Sequence, residues 1–354
     1  MDTQEVRTGE EVDRGAVENY IRETFKDFPG PPLQIRQFGA GHSNLTYELS
    51  SGSWEAVLRR PPKGPLPPKA HDMEREYNVL KAIHPFFPLA PEPLAFEEGK
   101  VLDKPFFLME RKYGIVYDTQ WPENITPSVE LAQDISREMV DRLVELHSID
   151  YKETDFKHIA RPEGFMKRQV EGWIKRFDKA HTSDVEEGVE LKEWLLDNIP
   201  EDGESTIIHY DYKLNNAIFS KEDPSQMIGL FDWEMTTVGD PLADVGAAMS
   251  YWMEAGDPKE LKEGLGQPPL TTEKGFYTRE EFMERYAEKS GRDLKDMNFY
   301  LAFAYFKLAG IVQQIYYRYK QGQTDDPRFQ HMNHFVNKLV SQAARQAGIN
   351  ERLY

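Results

Sequence analysis

Two short apolar segments that lead into acidic and amide side chains constrain the fold of this chain more than any other feature of its sequence. Residues 206–208 precede a loop that contains Asp211 and Asn216, and residues 228–231 precede Asp232. Short apolar runs bounded by polar turn residues are typical of strands. A hairpin of these strands would bring Asp211, Asn216 and Asp232 together. The sequence therefore predicts a site with two carboxylates and one amide.

This set of side chains predicts a particular chemistry. Mg²⁺ prefers oxygen ligands and typically binds through one or two carboxylates together with substrate phosphates. The spacing H-x-D-x-x-x-x-N, with a second Asp 21 residues after the first, matches the catalytic loop of phosphoryl-transfer enzymes. In that arrangement Asp211 is the catalytic base, and Asn216, rather than Asn215, holds the metal with Asp232. The structural alternative is a polar turn that serves only the backbone, and His209 is predicted to hold the loop in place.

The hydrophobic periodicity changes along the chain. Before residue 128 it predicts mainly strands, at 34–38, 45–49, 55–60 and 105–113, with helices at 13–28 and 70–83. After residue 128 it predicts mainly helices, which begin near residues 128, 165, 189, 278 and 299. These patterns predict an α+β fold with two lobes: a small antiparallel-sheet lobe at residues 1–111 and a larger, mainly helical lobe at residues 112–354.

The composition excludes several classes of function. The chain has no cysteine, which rules out disulfides, thiolate nucleophiles and cysteine-ligated metal clusters. Its net charge of −18 opposes binding to nucleic acid or to anionic membrane surfaces. The longest apolar stretch, residues 299–312, is too short to span a bilayer, and the N-terminus shows no secretory signal. We therefore expect a cytoplasmic protein with neither a nucleic-acid nor a membrane partner, and the oligomeric state stays open.

Further motifs accompany the two acidic segments. They are RQFGAGHSNLTY at residues 36–47, VLRRPP at 57–62, REY at 75–77, FLMER at 107–111 and GDPLAD at 239–244. With these motifs the chain resembles, over most of its length, the aminoglycoside phosphotransferase-like kinases, a family that also contains choline kinase. Within that family it is most similar to the branch related to the kinase-like domains fused to acyl-CoA dehydrogenases. The resemblance implies a two-lobed protein-kinase-like fold that uses ATP and Mg²⁺.

The resemblance also implies roles for residues of the first lobe. The glycine-bearing turn between the strands at 34–38 and 45–49 would lie against the nucleotide phosphates. Arg59 takes the place of the lysine that holds the phosphates in such kinases, and Glu76 is its expected partner. The crossing between the lobes would place backbone groups against the adenine. The nucleotide-binding residues implied in this way are Gly39, Gly41, Ser43, Arg59, Glu76, Glu110 and Lys112.

Two residues depart from the family pattern. Arg59 keeps the positive charge of the usual lysine, but its planar guanidinium changes the geometry of phosphate binding. Tyr210 stands where relatives of this branch commonly have glycine. The proline-rich, basic segment 59–69 is predicted to be exposed, stiff and positive. Asp240 and Asp244 are predicted to cap a helix and brace the catalytic loop.

Together these observations predict a small-molecule kinase, dependent on ATP and Mg²⁺, that transfers a γ-phosphoryl group to a substrate hydroxyl. The branch resemblance points to a hydroxyacyl-CoA as the acceptor, and segment 59–69 is a candidate contact for its phosphates. An aminoglycoside or choline-type acceptor is the alternative, because a cationic molecule suits an acidic chain. A nucleotide-binding pseudokinase scaffold, motivated by Arg59 and Tyr210, is the alternative from another class, and a metal-dependent hydrolase is a third. The choice between ATP and GTP stays open.

Overall fold

A computed structural model describes residues 3–30, 32–39, 44–62, 71–264, 266–324 and 326–349. The chain divides into two compact units. The first contains the chain up to Gly114 together with Ile228–Glu234, and the second contains Ile115–Met227 and the chain from Met235 onward. The first unit therefore extends past the predicted lobe boundary at residue 111 and also takes in a short segment from the second half of the chain.

The first unit is built on an antiparallel sheet and two helices. Its elements are β1 (Thr3–Gln4), α1 (Arg14–Thr24), β2 (Gln34–Phe38), β3 (Leu45–Ser51), β4 (Trp54–Arg60), α2 (Met73–Ile83), β5 (Pro93–Glu97) and β6 (Phe106–Met109). The described strands pair in the order β1-β2-β3-β4-β6-β5, and every pair is antiparallel. Both helices begin at an aspartate, Asp13 or Asp72, whose side chain accepts a backbone N–H of the first turn.

The central hairpin of this sheet follows directly from its sequence. Along β3 the side chains of Leu45, Tyr47 and Leu49 are buried and those between them are half-buried, as the period of two requires. The turn after β3 places Gly52 at a φ of +61°, a conformation that glycine adopts without strain. The hairpin presents one apolar face, and α1 packs against it through Val17 and Ile21.

The returning segment Ile228–Glu234 belongs to the first unit because its residues bond and pack there. The N–H of Leu230 donates to the carbonyl O of Leu89 at 2.8 Å. The buried ring of Trp233 packs edge-on against Phe87, with ring centroids 5.9 Å apart. These contacts fix the position of Asp232 within this unit.

The second unit is mainly helical. Its elements are α3 (Val129–His147), α4 (Phe165–Lys179), α5 (Val189–Asp197), β7 (Thr206–Ile208), β8 (Ala217–Phe219), β9 (Met227–Leu230, which continues into the first unit), β10 (Thr237–Gly239), α6 (Pro241–Tyr251), α7 (Lys259–Lys262), α8 (Arg279–Ser290), α9 (Met297–Lys320) and α10 (Met332–Gln346). Strand β7 pairs with β10 in an antiparallel ladder. None of the helices in the described ranges has the length and apolarity that a bilayer crossing requires.

Helices α6 and α9 approach each other closely. A Cβ atom added to Gly246 of α6 would lie 2.7 Å from the carbonyl O of Tyr300 in α9, so only glycine allows this approach. Helix α9 is buried on nearly all sides from Phe299 to Gly310. A helix enclosed by neighbours in this way buries its whole surface rather than one apolar stripe.

Several predicted elements are confirmed, and others are corrected. The strands at 34–38 and 206–208 have the predicted bounds, and the helix predicted near residue 278 begins after Thr278, which forms a capping box with Glu281. Helix α1 ends at Thr24 rather than residue 28 because Phe25 is extended. Strands β1, β5, β8 and β10 were not predicted. The predicted hairpin of the strands at 206–208 and 228–231 is wrong, because β7 pairs with β10 rather than with β9.

The predicted exposure of segment 59–69 is wrong for its first two residues. Arg59 and Arg60 are the last residues of β4, and only 2% of Arg60 is exposed. Arg60 instead pairs with Asp103 at 2.9 Å. Strand β4 lies between β3 and β6 in the sheet, which the proline-rich sequence after it did not indicate. Residues 63–70 lie outside the described residues.

Candidate phosphotransfer site

The loop after β7 is fixed by a carboxylate from α6. Asp244 is fully buried, and its Oδ2 and Oδ1 accept the backbone N–H groups of His209 and Tyr210 at 2.7 and 2.8 Å. Its Oδ2 also lies 3.1 Å from Nε2 of His147. Burial alone would raise the pKa of Asp244, but the hydrogen bond and charge of His147 and the backbone N–H groups lower it below its usual value. The prediction that Asp244 braces the loop is confirmed.

Asp240 caps the same helix. Its Oδ1 accepts the N–H of Leu242 at 2.8 Å, and its Oδ2 accepts the hydroxyl of Tyr300 at 2.6 Å. Burial raises the pKa of Asp240. Because its Oδ1 accepts an N–H of the first turn of α6, Asp240 has the predicted capping role, and its Oδ2 links the cap to α9.

Asp211 follows two residues with a fixed backbone. Tyr210 has a φ of +68°, in the left-handed region that few residues other than glycine adopt. The N–H of Asp211 donates to Nδ1 of His209 at 3.2 Å, so His209 supports the loop from within. This agrees with the holding role that the sequence predicts for it.

The spacing between Asp211 and Asn216 brings their side chains together. The chain turns through a short 3₁₀ helix, Leu214–Asn216, and Nδ2 of Asn216 then donates to the carbonyl O of Asp211 at 2.9 Å and to its Oδ2 at 3.1 Å. Asn215 is exposed and donates instead to Asp118 at 3.0 Å. Of the two consecutive asparagines, Asn216 is therefore the one that shares a cluster with Asp211.

The sequence reasoning missed Lys213. Its Nζ lies 3.0 Å from Oδ2 of Asp211 and 5.0 Å from the centroid of the Tyr251 ring. The signal was present, because a lysine two residues after the predicted base lies in the same short loop. Lys213 places a positive charge directly beside the carboxylate of Asp211.

Arg59 joins two acidic residues within the first unit. Its Nε donates to Glu76 at 3.0 Å, and its Nη2 donates to Oδ1 of Asp232 at 3.0 Å. Only 13% of the Arg59 side chain and 4% of the Glu76 side chain are exposed. Burial alone would lower the pKa of Arg59, but the carboxylates of Glu76 and Asp232 raise it above its usual value. Arg59 thus remains a cation, and the structure pairs it with Glu76 in the way the sequence suggests.

A second polar network holds the end of the glycine-bearing turn. Nδ2 of Asn44, the residue before β3, donates to Oε2 of Glu234 at 3.2 Å, and its Oδ1 lies 2.8 Å from Nδ1 of His71. Arg75 of α2 donates to the carbonyl O of Glu234. The sequence reasoning gave Asn44 and Glu234 no role. Their contact ties the exit of the turn to the segment that carries Asp232.

Of the glycine-bearing turn, residues 39–44, only the first and last residues, Gly39 and Asn44, are described. Gly39 is exposed, and its carbonyl O accepts from Nη2 of Arg7 at 3.1 Å. Gly41 and Ser43, which were predicted to meet the phosphates, lie outside the described residues. Their role stays a prediction.

The segment after β6 carries the two residues predicted to meet the adenine. The N–H of Glu110 donates to the carbonyl O of Glu92 at 2.8 Å. The Nζ of Lys112 lies 3.2 Å from Oε2 of Glu110 and donates to the carbonyl O of Pro88 at 3.3 Å. The N–H of Glu110 is used in this bond, and the contact of the backbone groups of Glu110 and Lys112 with an adenine stays a prediction.

The donor atoms of the predicted metal ligands suit Mg²⁺. Asn216 donates from Nδ2 to Asp211, so its Oδ1 is the atom that could bind the metal. Asp232 accepts from Arg59 with Oδ1, so its Oδ2 is the atom that could bind the metal. In the described part of the chain, no three His, Asp or Glu side chains converge as an all-protein metal cage would need. A magnesium ion that is partly held by nucleotide phosphates needs no such cage. Asn216 lies in the second unit and Asp232 in the first, so their meeting around one ion stays a prediction.

Comparisons with known proteins place the chain in a family. The sequence profile of the phosphotransferase enzyme family matches residues 34–272. Acyl-CoA dehydrogenase family member 11 of Gallus gallus is 35% identical over 332 residues, which make up 90% of this chain and 41% of that protein. The chain therefore spans less than half the length of this relative.

Solved structures share the fold. A Ralstonia eutropha protein, provisionally named as an aminoglycoside phosphotransferase, has a TM-score of 0.80 at 27% identity, and the match covers 96% of this chain and 99% of that one. A thermostable mutant of an aminoglycoside phosphotransferase, solved with AMP-PNP and hygromycin B, has a TM-score of 0.59 at 15% identity and covers 93% of this chain and 99% of that one.

These findings confirm the predicted kinase-like α+β fold with two lobes, and they confirm the resemblance drawn from the sequence motifs. The profile match covers more than half of the chain and includes Arg59, Glu76, Asp211, Asn216 and Asp232. The chain belongs to the phosphotransferase enzyme family.

Proposed function

We propose that the chain is a kinase, dependent on ATP and Mg²⁺, that transfers the γ-phosphoryl group of ATP to a hydroxyl group of a small molecule. The observation that carries this proposal is the geometry around Asp211. Its carboxylate meets Lys213 at 3.0 Å and Asn216 at 3.1 Å, in a loop that the buried Asp244 fixes. Phosphoryl transfer depends mainly on positioning and on neutralising charge, and this loop supplies both.

In the proposed reaction Asp211 accepts the proton of the substrate hydroxyl while the hydroxyl oxygen forms a bond to the γ-phosphorus. The bond between that phosphorus and the oxygen that bridges to the β-phosphate breaks, and ADP leaves with its electron pair. The ammonium of Lys213 lies beside Asp211 and would stabilise negative charge on the transferring group.

The first unit would bind the nucleotide. Arg59 is kept charged and is oriented by Glu76, which suits it to the phosphates. Gly39, Gly41 and Ser43 would cradle the phosphates, and the backbone groups of Glu110 and Lys112 would meet the adenine. Asn216 and Asp232 would hold a Mg²⁺ ion, which neutralises phosphate charge when it is bound.

We propose a hydroxyacyl-CoA as the acceptor. The support is the likeness over 90% of this chain to a protein named as an acyl-CoA dehydrogenase family member. A kinase-like segment joined to such a protein would act on a substrate of the same thioester class. The structure with AMP-PNP and hygromycin B supports ATP as the donor and keeps an aminoglycoside as the alternative acceptor.

Replacing the base tests the proposal. Asp211→Asn keeps the size of the side chain but removes its basicity, so kcat for ADP release should fall by about 10²- to 10⁴-fold. The Kd for ATP should stay within about twofold, because the base does not hold the nucleotide. The assay should screen hydroxyacyl-CoAs, aminoglycosides, choline and other hydroxylated metabolites. Asp197→Asn, at an exposed position of α5, is the matched control and should keep the full rate.

Each outcome of this assay has a distinct meaning. An Asp211→Asn protein that transfers phosphate at the unmodified rate would contradict the assignment of the base. ADP release that requires an aminoglycoside or choline would move the acceptor to that class. A thermal shift with ATP and Mg²⁺, without hydrolysis or transfer, would favour the pseudokinase scaffold.

A further inference from the structure

Helix α9 carries a buried lysine. Only 5% of Lys307 is exposed, and the residues around it in α9 are almost all buried and apolar. Lysine is rarely buried to this extent without a partner, because the desolvation of an ammonium group is costly. Such a residue needs a counterpart that offsets the loss of water around its charge.

That counterpart is Tyr210, the residue directly before Asp211. The Nζ of Lys307 donates to the carbonyl O of Tyr210 at 3.2 Å and lies 3.2 Å from the centroid of the Tyr210 ring. The ring quadrupole attracts a cation in this position, and more strongly when both groups are removed from water. The hydroxyl of Tyr210 also donates to Oε1 of Gln169 in α4 at 3.2 Å. The tyrosine is therefore held from two sides.

The backbone of Tyr210 is strained. Its φ of +68° is one that glycine adopts freely and that a tyrosine adopts only when its surroundings enforce it. In this conformation both the carbonyl group and the ring of Tyr210 contact Lys307. The peptide group that links Tyr210 to Asp211 sets the starting direction of the Asp211 side chain. The contacts of Lys307 with Tyr210 therefore also restrict the position of the Asp211 carboxylate.

Charged groups from several elements face Lys307. Asp211 in the loop and Asp244 of α6 attract its charge, whereas Arg176 of α4 repels it. Burial has the largest effect, and it lowers the pKa of Lys307 to about 8. At pH 7 the side chain is mostly protonated, but it loses its proton at a lower pH than an exposed lysine does.

We propose that Lys307 is a positioning residue for phosphoryl transfer, which holds Tyr210 in its left-handed conformation and thereby fixes the carboxylate of Asp211. The inference rests on the proposed role of Asp211 as the base. Lys307 contacts neither ATP nor the acceptor in this scheme and acts only through Tyr210. The φ of Tyr210 would suit a glycine. The contact between its ring and Lys307 accounts for the tyrosine, because glycine has no ring that a cation could contact.

Removing the charge at constant volume tests the inference. Lys307→Met should unfold at the same or a higher urea concentration at pH 7, because the desolvation cost of the buried ammonium is removed together with its contacts. Its kcat should nevertheless fall by about ten- to a hundredfold through misplacement of the base, while the KM for ATP stays within about twofold. Lys320→Met removes an exposed lysine at the end of the same helix and should keep both values.

Two further readouts distinguish positioning from a structural role. The kcat of the unmodified chain should decline as Lys307 loses its proton near pH 8, and this decline should be absent from Lys307→Met. Hydrogen–deuterium exchange of the amides of residues 209–213 should be faster in Lys307→Met, with or without ATP. Lys307→Gln keeps a donor for the carbonyl O of Tyr210 but carries no charge. It should lose kcat in the same way and replaces the methionine variant if that protein does not fold.

The outcomes separate this inference from the proposed function. A less stable Lys307→Met protein with unchanged kcat and unchanged exchange would show a purely structural lysine and overturn the inference. If the unmodified chain transfers phosphate and Lys307→Met is equally fast, the inference fails while the proposed function stands. If the unmodified chain transfers no phosphate, the proposed function fails, and exchange of the loop amides decides whether Lys307 holds Tyr210.

Discussion

The guanidinium of Arg59 donates hydrogen bonds to two carboxylates at once. Its Nε meets Glu76 and its Nη2 meets Asp232, each at 3.0 Å. A guanidinium carries donors on separate nitrogen atoms and can reach two groups from one fixed plane. An ammonium would have to lie between both carboxylates to do the same. The arginine is therefore compatible with the usual cation role, in a different geometry.

Removing this arginine should separate its effects on stability and on binding. Arg59→Met leaves Glu76 buried without its cation, so the free energy of unfolding should fall by about 3 kcal/mol. Adding Glu76→Leu should recover most of that loss, because both buried charges are then gone. The Kd for ATP, measured by calorimetry, should rise at least about tenfold in both proteins, because the phosphates lose their cation.

The control for this pair is an arginine at the surface. Arg328 pairs with Asp326 but is 65% exposed, so Arg328→Met should change neither stability nor ATP affinity. A double variant at positions 59 and 76 that binds ATP like the unmodified chain would disprove the phosphate-binding role of Arg59.

At the level of residues, the sequence predicted which side chains of the loop lie together better than it predicted which other elements surround them. The spacing of the loop identified Asn216, rather than Asn215, as the neighbour of Asp211, because a fixed number of residues closes a short turn. Lys213 was missed because a lysine in a polar loop has the pattern of a solvated charge. The conformation of Tyr210 could not be predicted, because it depends on α4, α6 and α9, which are distant in sequence.

At the level of elements, Asp244 joins α6 to the loop after β7 and, through His147, to α3. Two backbone N–H groups bond to its two oxygens, whereas an asparagine would turn an NH₂ group toward one of them. Asp244→Asn should therefore lower the free energy of unfolding by about 2 to 3 kcal/mol at pH 7. The kcat should fall as well, because the loop that carries Asp211 loses its support.

This loss of stability should depend on pH in a defined direction. The pKa of Asp244 is lower in the folded chain than in the unfolded one, so its contribution to stability is complete above about pH 5 and declines as the pH falls through the folded pKa. The difference in free energy of unfolding between the unmodified chain and Asp244→Asn should thus shrink as the pH falls below about 5 in urea titrations. Asp155→Asn, at an exposed position, provides the baseline. A difference that stayed constant over this range would exclude the ionised carboxylate as the cause.

Local patterns predicted long elements and missed short ones for a physical reason. Helix α3 begins after Ser128 as expected, because its cap and its apolar spacing are both local signals. Strand β5 begins with a proline, and its register shifts between Pro93 and Ala95, so its sequence shows no regular alternation. Strand β10 has three residues and forms only by pairing with β7. Such pairing depends on residues far away in the chain, which a local pattern does not contain.

At the level of the whole molecule, net charge distinguishes the candidate acceptors. The chain carries 61 acidic and 43 basic residues, and such an excess creates a negative potential that extends beyond single contacts. An acyl-CoA carries several phosphate charges and is repelled by this potential, whereas an aminoglycoside or choline is attracted. The sign of the salt dependence therefore reports the charge of the acceptor.

We expect kcat/KM for a hydroxyacyl-CoA to rise by about two- to threefold as the ionic strength increases from about 20 to about 200 mM. The Debye length then shortens from about 20 Å to about 7 Å, and the repulsion is screened. Steady-state ADP release at saturating ATP measures this, with hydrolysis in the absence of acceptor as the control at each salt concentration. A cationic acceptor should show the opposite slope.

If kcat/KM for the acyl-CoA fell with salt, a local positive patch would have to outweigh the net charge of −18. The lysines at positions 63 and 69 would then be the first to replace by neutral residues, because they lie in the one basic, proline-rich stretch of the sequence.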